Sequence, residues 1–157
     1  MRLATLVLVV LAACTDLREF RGSWSGPRVG DAAELKVGVS DATAVLDIDQ
    51  IDSHGLVGRL SVSGLLPATP ITSLAGAEAD ELAGMTFTGG PLRVYLAFVP
   101  VPDGGGEALA VVALYEDRRI SVRLLRGGTA PLYGIFALTG PVGFPPGAAR
   151  QGQGPRV

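Results

Sequence analysis

The stretch Thr43-Ala44-Val45-Leu46-Asp47-Ile48-Asp49-Gln50-Ile51 decides the fold class. Leu46, Ile48 and Gln50 fall on one face of an extended chain. Val45, Asp47, Asp49 and Ile51 fall on the other. This period of two marks a half-buried β-strand, whereas an amphipathic helix would repeat its apolar residues every three to four positions. The alternation continues on both sides. Glu34-Leu35-Lys36-Val37-Gly38-Val39 precedes it, with Leu35, Val37 and Val39 inward and a turn at Ser40-Asp41-Ala42. Asp52-Ser53-His54-Gly55 follows as a second turn, since Asp and Ser bond nearby backbone and Gly accepts a positive φ. A strand then runs from Leu56 to Ser63, with Leu56, Gly58, Leu60 and Val62 on one face.

Further strands are predicted at Leu92 to Val99, Glu107 to Tyr115, Arg119 to Leu125 and Leu132 to Thr139. Turn-forming residues separate them: a Pro- and Gly-rich loop at 100–106, Glu116-Asp117-Arg118, and Arg126 to Pro131. The segment 64–83 is less regular. Pro67 and Pro70 interrupt its pattern, residues 77–83 suit one or two helical turns, and Met85 to Thr88 suits a short strand. The fold expected is all-β, an antiparallel meander of about eight to ten short strands. A sandwich or a barrel would hide the edges; the sequential connections favour a small closed or nearly closed barrel. A transmembrane barrel fits less well. Several strands fall short of the roughly 9–11 residues it needs, and one Trp, three Tyr and five Phe are few for two aromatic girdles.

The N-terminus carries a different signal. Arg2 precedes an apolar run from Leu3 to Ala13, which Asp16, Arg18 and Glu19 end. A charged start, a short apolar core and small residues at a cut site make a secretory signal. The run is shorter than the roughly 20 apolar residues of a membrane-spanning helix. Leu11-Ala12-Ala13-Cys14 resembles the lipobox of bacterial lipoproteins. That resemblance implies removal of residues 1–13 and attachment of diacylglycerol to the Cys14 thiol. Thr15, in place of Asp, implies the outer membrane. Cys14 is the only cysteine, so it cannot close an intramolecular disulfide, and lipidation gives an exported chain a use for it. The expected organisation is a signal peptide at 1–13, a lipidated tether at 14–19, a barrel-like domain at 20–139 and a disordered Gly/Pro-rich tail at 140–157.

Gly22-Ser23-Trp24 stands at the expected start of the first strand. It resembles the Gly-x-Trp motif of lipocalins and related calycin barrels. There the Trp closes the barrel floor and packs under an Arg from a late strand, a role the resemblance would give to Arg123 or Arg126. Guanidinium stacking on indole contributes about 0.5–2 kcal/mol. Read from the residues alone, Trp24 plugs one end of a β-core.

Chemistry-bearing constellations are sparse. His54 is the only histidine and sits in a good turn sequence. Gly22-Ser23-Trp24-Ser25-Gly26 has Trp, not Ser, at the centre a nucleophile elbow requires. Asp47 and Asp49 read as a solvated strand face, because no Asp-x-Asp-x-Asp-Gly calcium loop surrounds them. Gly104-Gly105-Gly106 lacks the Lys and Ser/Thr of a phosphate loop. One His and a lipidated Cys are too few for a zinc site. A net charge of -2, with scattered basic residues, argues against nucleic acid. No catalytic residue, metal or cofactor is therefore expected beyond the covalent lipid on Cys14. Arg93, Tyr95 and Arg123, if they share a sheet face, are candidates for an acidic ligand. The expectation is an envelope lipoprotein, not an enzyme, acting as a structural or protein-interaction module. A lipocalin-like binder of a small apolar ligand or lipid is the alternative.

Overall fold

The computed structural model describes residues 16–30, 41–74, 87, 90–102, 106–126 and 132–140, with backbone only at 132 and 133. The expected signal peptide, Cys14, the strand at 34–39, the helical turns at 77–83, most of the strand at 85–88, the GlyGlyGly loop apart from Gly106 and the tail beyond Gly140 lie outside them.

Eight antiparallel strands form one sheet: β1 (Gly22–Val29), β2 (Thr43–Ile51), β3 (Leu56–Val62), β4 (Leu66–Thr72), β5 (Arg93–Pro100), β6 (Glu107–Leu114), β7 (Arg119–Arg126) and β8 (Leu132–Thr139). Their order is β4-β3-β2-β1-β8-β7-β6-β5. The first and last strands therefore pair, and the sheet curls into a nearly closed barrel whose seam falls mid-chain, between β4 and β5. One bridge crosses the seam, Leu74 N–H to the Leu96 carbonyl at 2.7 Å.

The core is the inside of the barrel. Trp24, Leu46, Leu60, Val122 and Phe136 come from five strands, and each is at most 2% exposed. Among the described residues, none that is polar or charged is buried. The alternation is thus apolar inward, the reverse of a water-filled membrane barrel.

Two details differ from the sequence reading. Leu66–Thr72 is a full strand despite Pro67 and Pro70. It borders the seam, and a sheet edge tolerates residues that lack an N–H. In β2 a bulge between Ile48 and Gln50 resets the alternation. Ile51, not Gln50, follows Leu46 and Ile48 into the core, at 3% exposure.

The chain enters through a 3₁₀ helix, Leu17–Phe20, which starts in the expected tether, 14–19, and ends on the first residue of the expected domain. The Asp16 carboxylate caps it by accepting from Arg18 N–H at 3.0 Å. Phe20 is buried, and Leu17 packs against the core. This entry, the β2–β3 turn, the β6–β7 turn and the end of β8 all lie at one end of the barrel, called here the entry end. The β3–β4 turn and the β5–β6 loop lie at the far end.

Candidate functional site

Among the described residues, three places hold side chains that could carry function: the plug at the entry end, the outer face of β5 to β7, and a depression at the far end.

The plug is built from Phe20 and Trp24. Their rings stack at 5.7 Å between centroids with 25° between planes. The indole Nε1–H donates to the Phe20 carbonyl at 2.7 Å, so the one polar atom of the ring is satisfied inside the core. A Cβ on Gly140 would stand 3.1 Å from the indole, so the exit of β8 lies against the same ring. Trp24 therefore closes the entry end. Neither expected arginine covers it. Arg123 lies on the outer face, its guanidinium carbon 4.1 Å from the centroid of the Phe87 ring. Arg126 pairs with Leu132 at the other end of β7, about 23 Å of strand from Arg119, which stands level with the plug.

Arg93, Tyr95 and Arg123 do not share a face, which corrects the grouping made from sequence. Tyr95 opposes the buried Val112 and points inward, 4% exposed. Arg93 has the same parity at the strand's start, opposite Leu114. Arg123 opposes Val111 on the outer side. Register between strands sets these faces, and sequence spacing within a strand cannot supply it. Tyr95 has a structural partner: its hydroxyl donates to the Asp52 carbonyl at 2.7 Å.

The turn at 52–55 forms as its sequence suggests. The Asp52 carboxylate accepts from the backbone N–H of His54 at 2.7 Å and of Gly55 at 3.0 Å. These two hydrogen bonds hold the Asp52 carboxyl below the usual aspartate range, with smaller contributions from the charges of His54 and Arg21. His54 itself is exposed. Asp47 is half-buried and Asp49 exposed on the outer side of β2. Among the described residues no three His, Cys, Asp or Glu side chains gather where a metal ion could bind.

Sequence reasoning missed the second hydrophobic cluster, formed outside the barrel by Phe87, Val94, Val111 and Ala113. Leu96, Leu109, Tyr115 and Leu125 pack around it. The signal was present in Glu107–Leu114, where Ala-Leu-Ala-Val-Val-Ala-Leu is apolar at successive positions. A strand covered on both faces reads that way.

The depression at the far end was also missed. It is open, has a volume of ≈ 500 Å³, and is lined by Val45, Leu65, Pro67 and Pro102 with the hydroxyl residues Ser61 and Ser63. It lies at the rim, outside the packed interior. Its walls are mainly apolar and hold no ionisable side chain, so it suits an apolar group of a partner better than an acid or base catalyst. No family model, curated protein or solved structure matches the chain.

Proposed function

We propose that this protein is an exported lipoprotein, anchored by lipid on Cys14 in the bacterial envelope, at the outer membrane, where it acts as a structural or protein-interaction module.

 The observation that carries this reading is the filled interior. An eight-stranded barrel is just wide enough either to pack side chains or to hold one small ligand. Here the inward residues Leu46, Leu60, Ile71, Val122 and Phe136 are at most 2% exposed, whereas a hollow able to take a lipid chain would leave its lining accessible. A filled barrel acts through its surface.

The anchor rests on the sequence: the charged start, the short apolar core and Leu11-Ala12-Ala13-Cys14. Two or three acyl chains would supply the more-than-one-chain requirement for stable membrane attachment, at about 0.8 kcal/mol for each buried CH₂. No catalytic step, metal or cofactor is part of the proposal. The partners are the membrane, through the lipid, and an envelope protein.

A second reading, a module for a small apolar ligand or lipid, has the far-end depression in its favour. It would place the ligand at the rim and not in a barrel lumen.

Fractionation of the producing cells tests the anchor. The wild-type protein should sediment with the membranes and yield to detergent. Cys14→Ser should appear in the soluble fraction or remain unprocessed. Normal processing and membrane retention of Cys14→Ser would refute the lipoprotein reading.

A further inference from the structure

We propose that the entry end of the barrel is held against the bilayer surface and that the far-end depression faces away from it. The inference rests on lipidation of Cys14 and goes beyond it, because an anchor on a long tether would leave the domain free to tumble.

Only Thr15 separates Cys14 from Asp16. Two residue steps of fully extended chain span at most about 7 Å. Asp16 is already part of the fold. Its carboxylate caps the 3₁₀ helix Leu17–Phe20, and its carbonyl accepts from Glu19 N–H at 3.0 Å. Leu17 packs on the core, and Phe20 is locked beneath Trp24. No slack remains between the lipid-bearing residue and the plug. The β2–β3 turn with Ser53 and the β6–β7 turn with Asp117 share this end, so they face the headgroups.

The charge at this end agrees with a surface held there by its tether. Arg18, Arg21, Arg118 and Arg119 are exposed beside Asp16, Glu19, Asp52, Glu116 and Asp117. Opposite signs in nearly equal measure give neither strong attraction to anionic lipid nor strong repulsion from it. Apposition therefore depends on the anchor. Strands of this length, tilted as barrel strands are, set the far end about 20 Å further from the membrane. The depression bounded by Leu65 and Pro102 is thereby presented to whatever approaches from the aqueous side.

The test uses the full lipidated protein in vesicles that contain a nickel-chelating lipid. A spin label is placed at Ser53→Cys, in the β2–β3 turn at the entry end, or at Asp41→Cys, just ahead of β2 at the far end. Mass spectrometry first establishes whether Cys14 carries its lipid. The expected result is strong relaxation enhancement by headgroup nickel at position 53 and little at position 41. Inserting a Gly/Ser linker of about 20 residues between Thr15 and Asp16, with an end-to-end distance of about 25 Å, should erase most of the difference. Equal enhancement at both positions in protein with lipid on Cys14 would overturn the orientation while leaving the anchor intact. A difference that survives the linker unchanged would overturn the short tether as its cause. A Cys14 without lipid would overturn both.

Discussion

The hydroxyl of Tyr95 donates to the backbone carbonyl of Asp52 at 2.7 Å, joining β5 to the β2–β3 turn across the seam of the barrel. The only bridge between backbones at that seam, among the described residues, is Leu74 to Leu96. The phenol thus helps to close a gap that the ladder leaves open. Tyr95→Phe keeps the ring and removes the donor. It should lower stability by about 0.5–1.5 kcal/mol, measured by chemical denaturation. An unchanged midpoint would mean that the bond contributes nothing to closure.

The plug gives a second prediction. Trp24 is the only tryptophan and is 2% exposed. Its fluorescence should be blue-shifted and shielded from iodide until the barrel unfolds. Trp24→Phe leaves the Phe20 carbonyl without its indole donor and should cost about 1–3 kcal/mol. Trp24→Ala, which also opens a void, should cost about 3–5 kcal/mol. Red-shifted, freely quenched emission from the folded protein would contradict the plug.

Close approach of strands gives a third. A Cβ at Gly26 would lie 1.8 Å from the carbonyl oxygen of Ala137, and one at Gly58 would lie 2.0 Å from that of Asp47. Both contacts are with backbone, which cannot swing aside. Gly26→Ala and Gly58→Ala should each destabilise the barrel by about 1–3 kcal/mol or more, read from thermal or denaturant unfolding. Wild-type stability in either variant would show that the strands are further apart there.

Acid should act on the β2–β3 turn. The folded-state pKa of Asp52 is lowered, chiefly by the N–H groups of His54 and Gly55. A depressed carboxylate contributes stability that is present above its unfolded-state pKa and is lost as pH falls through the folded-state value. Stability should therefore decline as pH drops below the usual aspartate range. Asp52→Asn, which still offers an acceptor but does not titrate, should flatten that part of the profile. Denaturation midpoints measured against pH in both proteins check this, and identical acid limbs would contradict it.

The strands with clean alternation were legible in the sequence. Leu56–Val62 and Arg119–Arg126 need only the period of two and flanking turn residues. Leu66–Thr72 was not legible, because its prolines argue against a strand until its place at the seam is known. The bulge near Asp49 was hidden too, although an apolar Ile51 following a polar Gln50 was its trace. The plug was half legible: Trp24 could be assigned to one end of the barrel, but the Phe20 carbonyl that takes its N–H depends on a 3₁₀ turn that begins in the expected tether. The proposed grouping of Arg123 with Tyr95 failed because face is inherited through two ladders, Tyr95 to Val112 and Val112 to Val122. The far-end depression joins Leu65 to Pro102 across the seam, and no local pattern announces that meeting.

The most direct test of the central claim, a lipid-anchored barrel with a filled interior, is the mass of the protein purified from its own envelope in mild detergent, recorded native and then denatured. The expected result is a chain beginning at Cys14 that carries covalent lipid, with no further mass lost on denaturation. A small apolar molecule released on denaturation would contradict the filled interior, and an unmodified Cys14 would contradict the anchor.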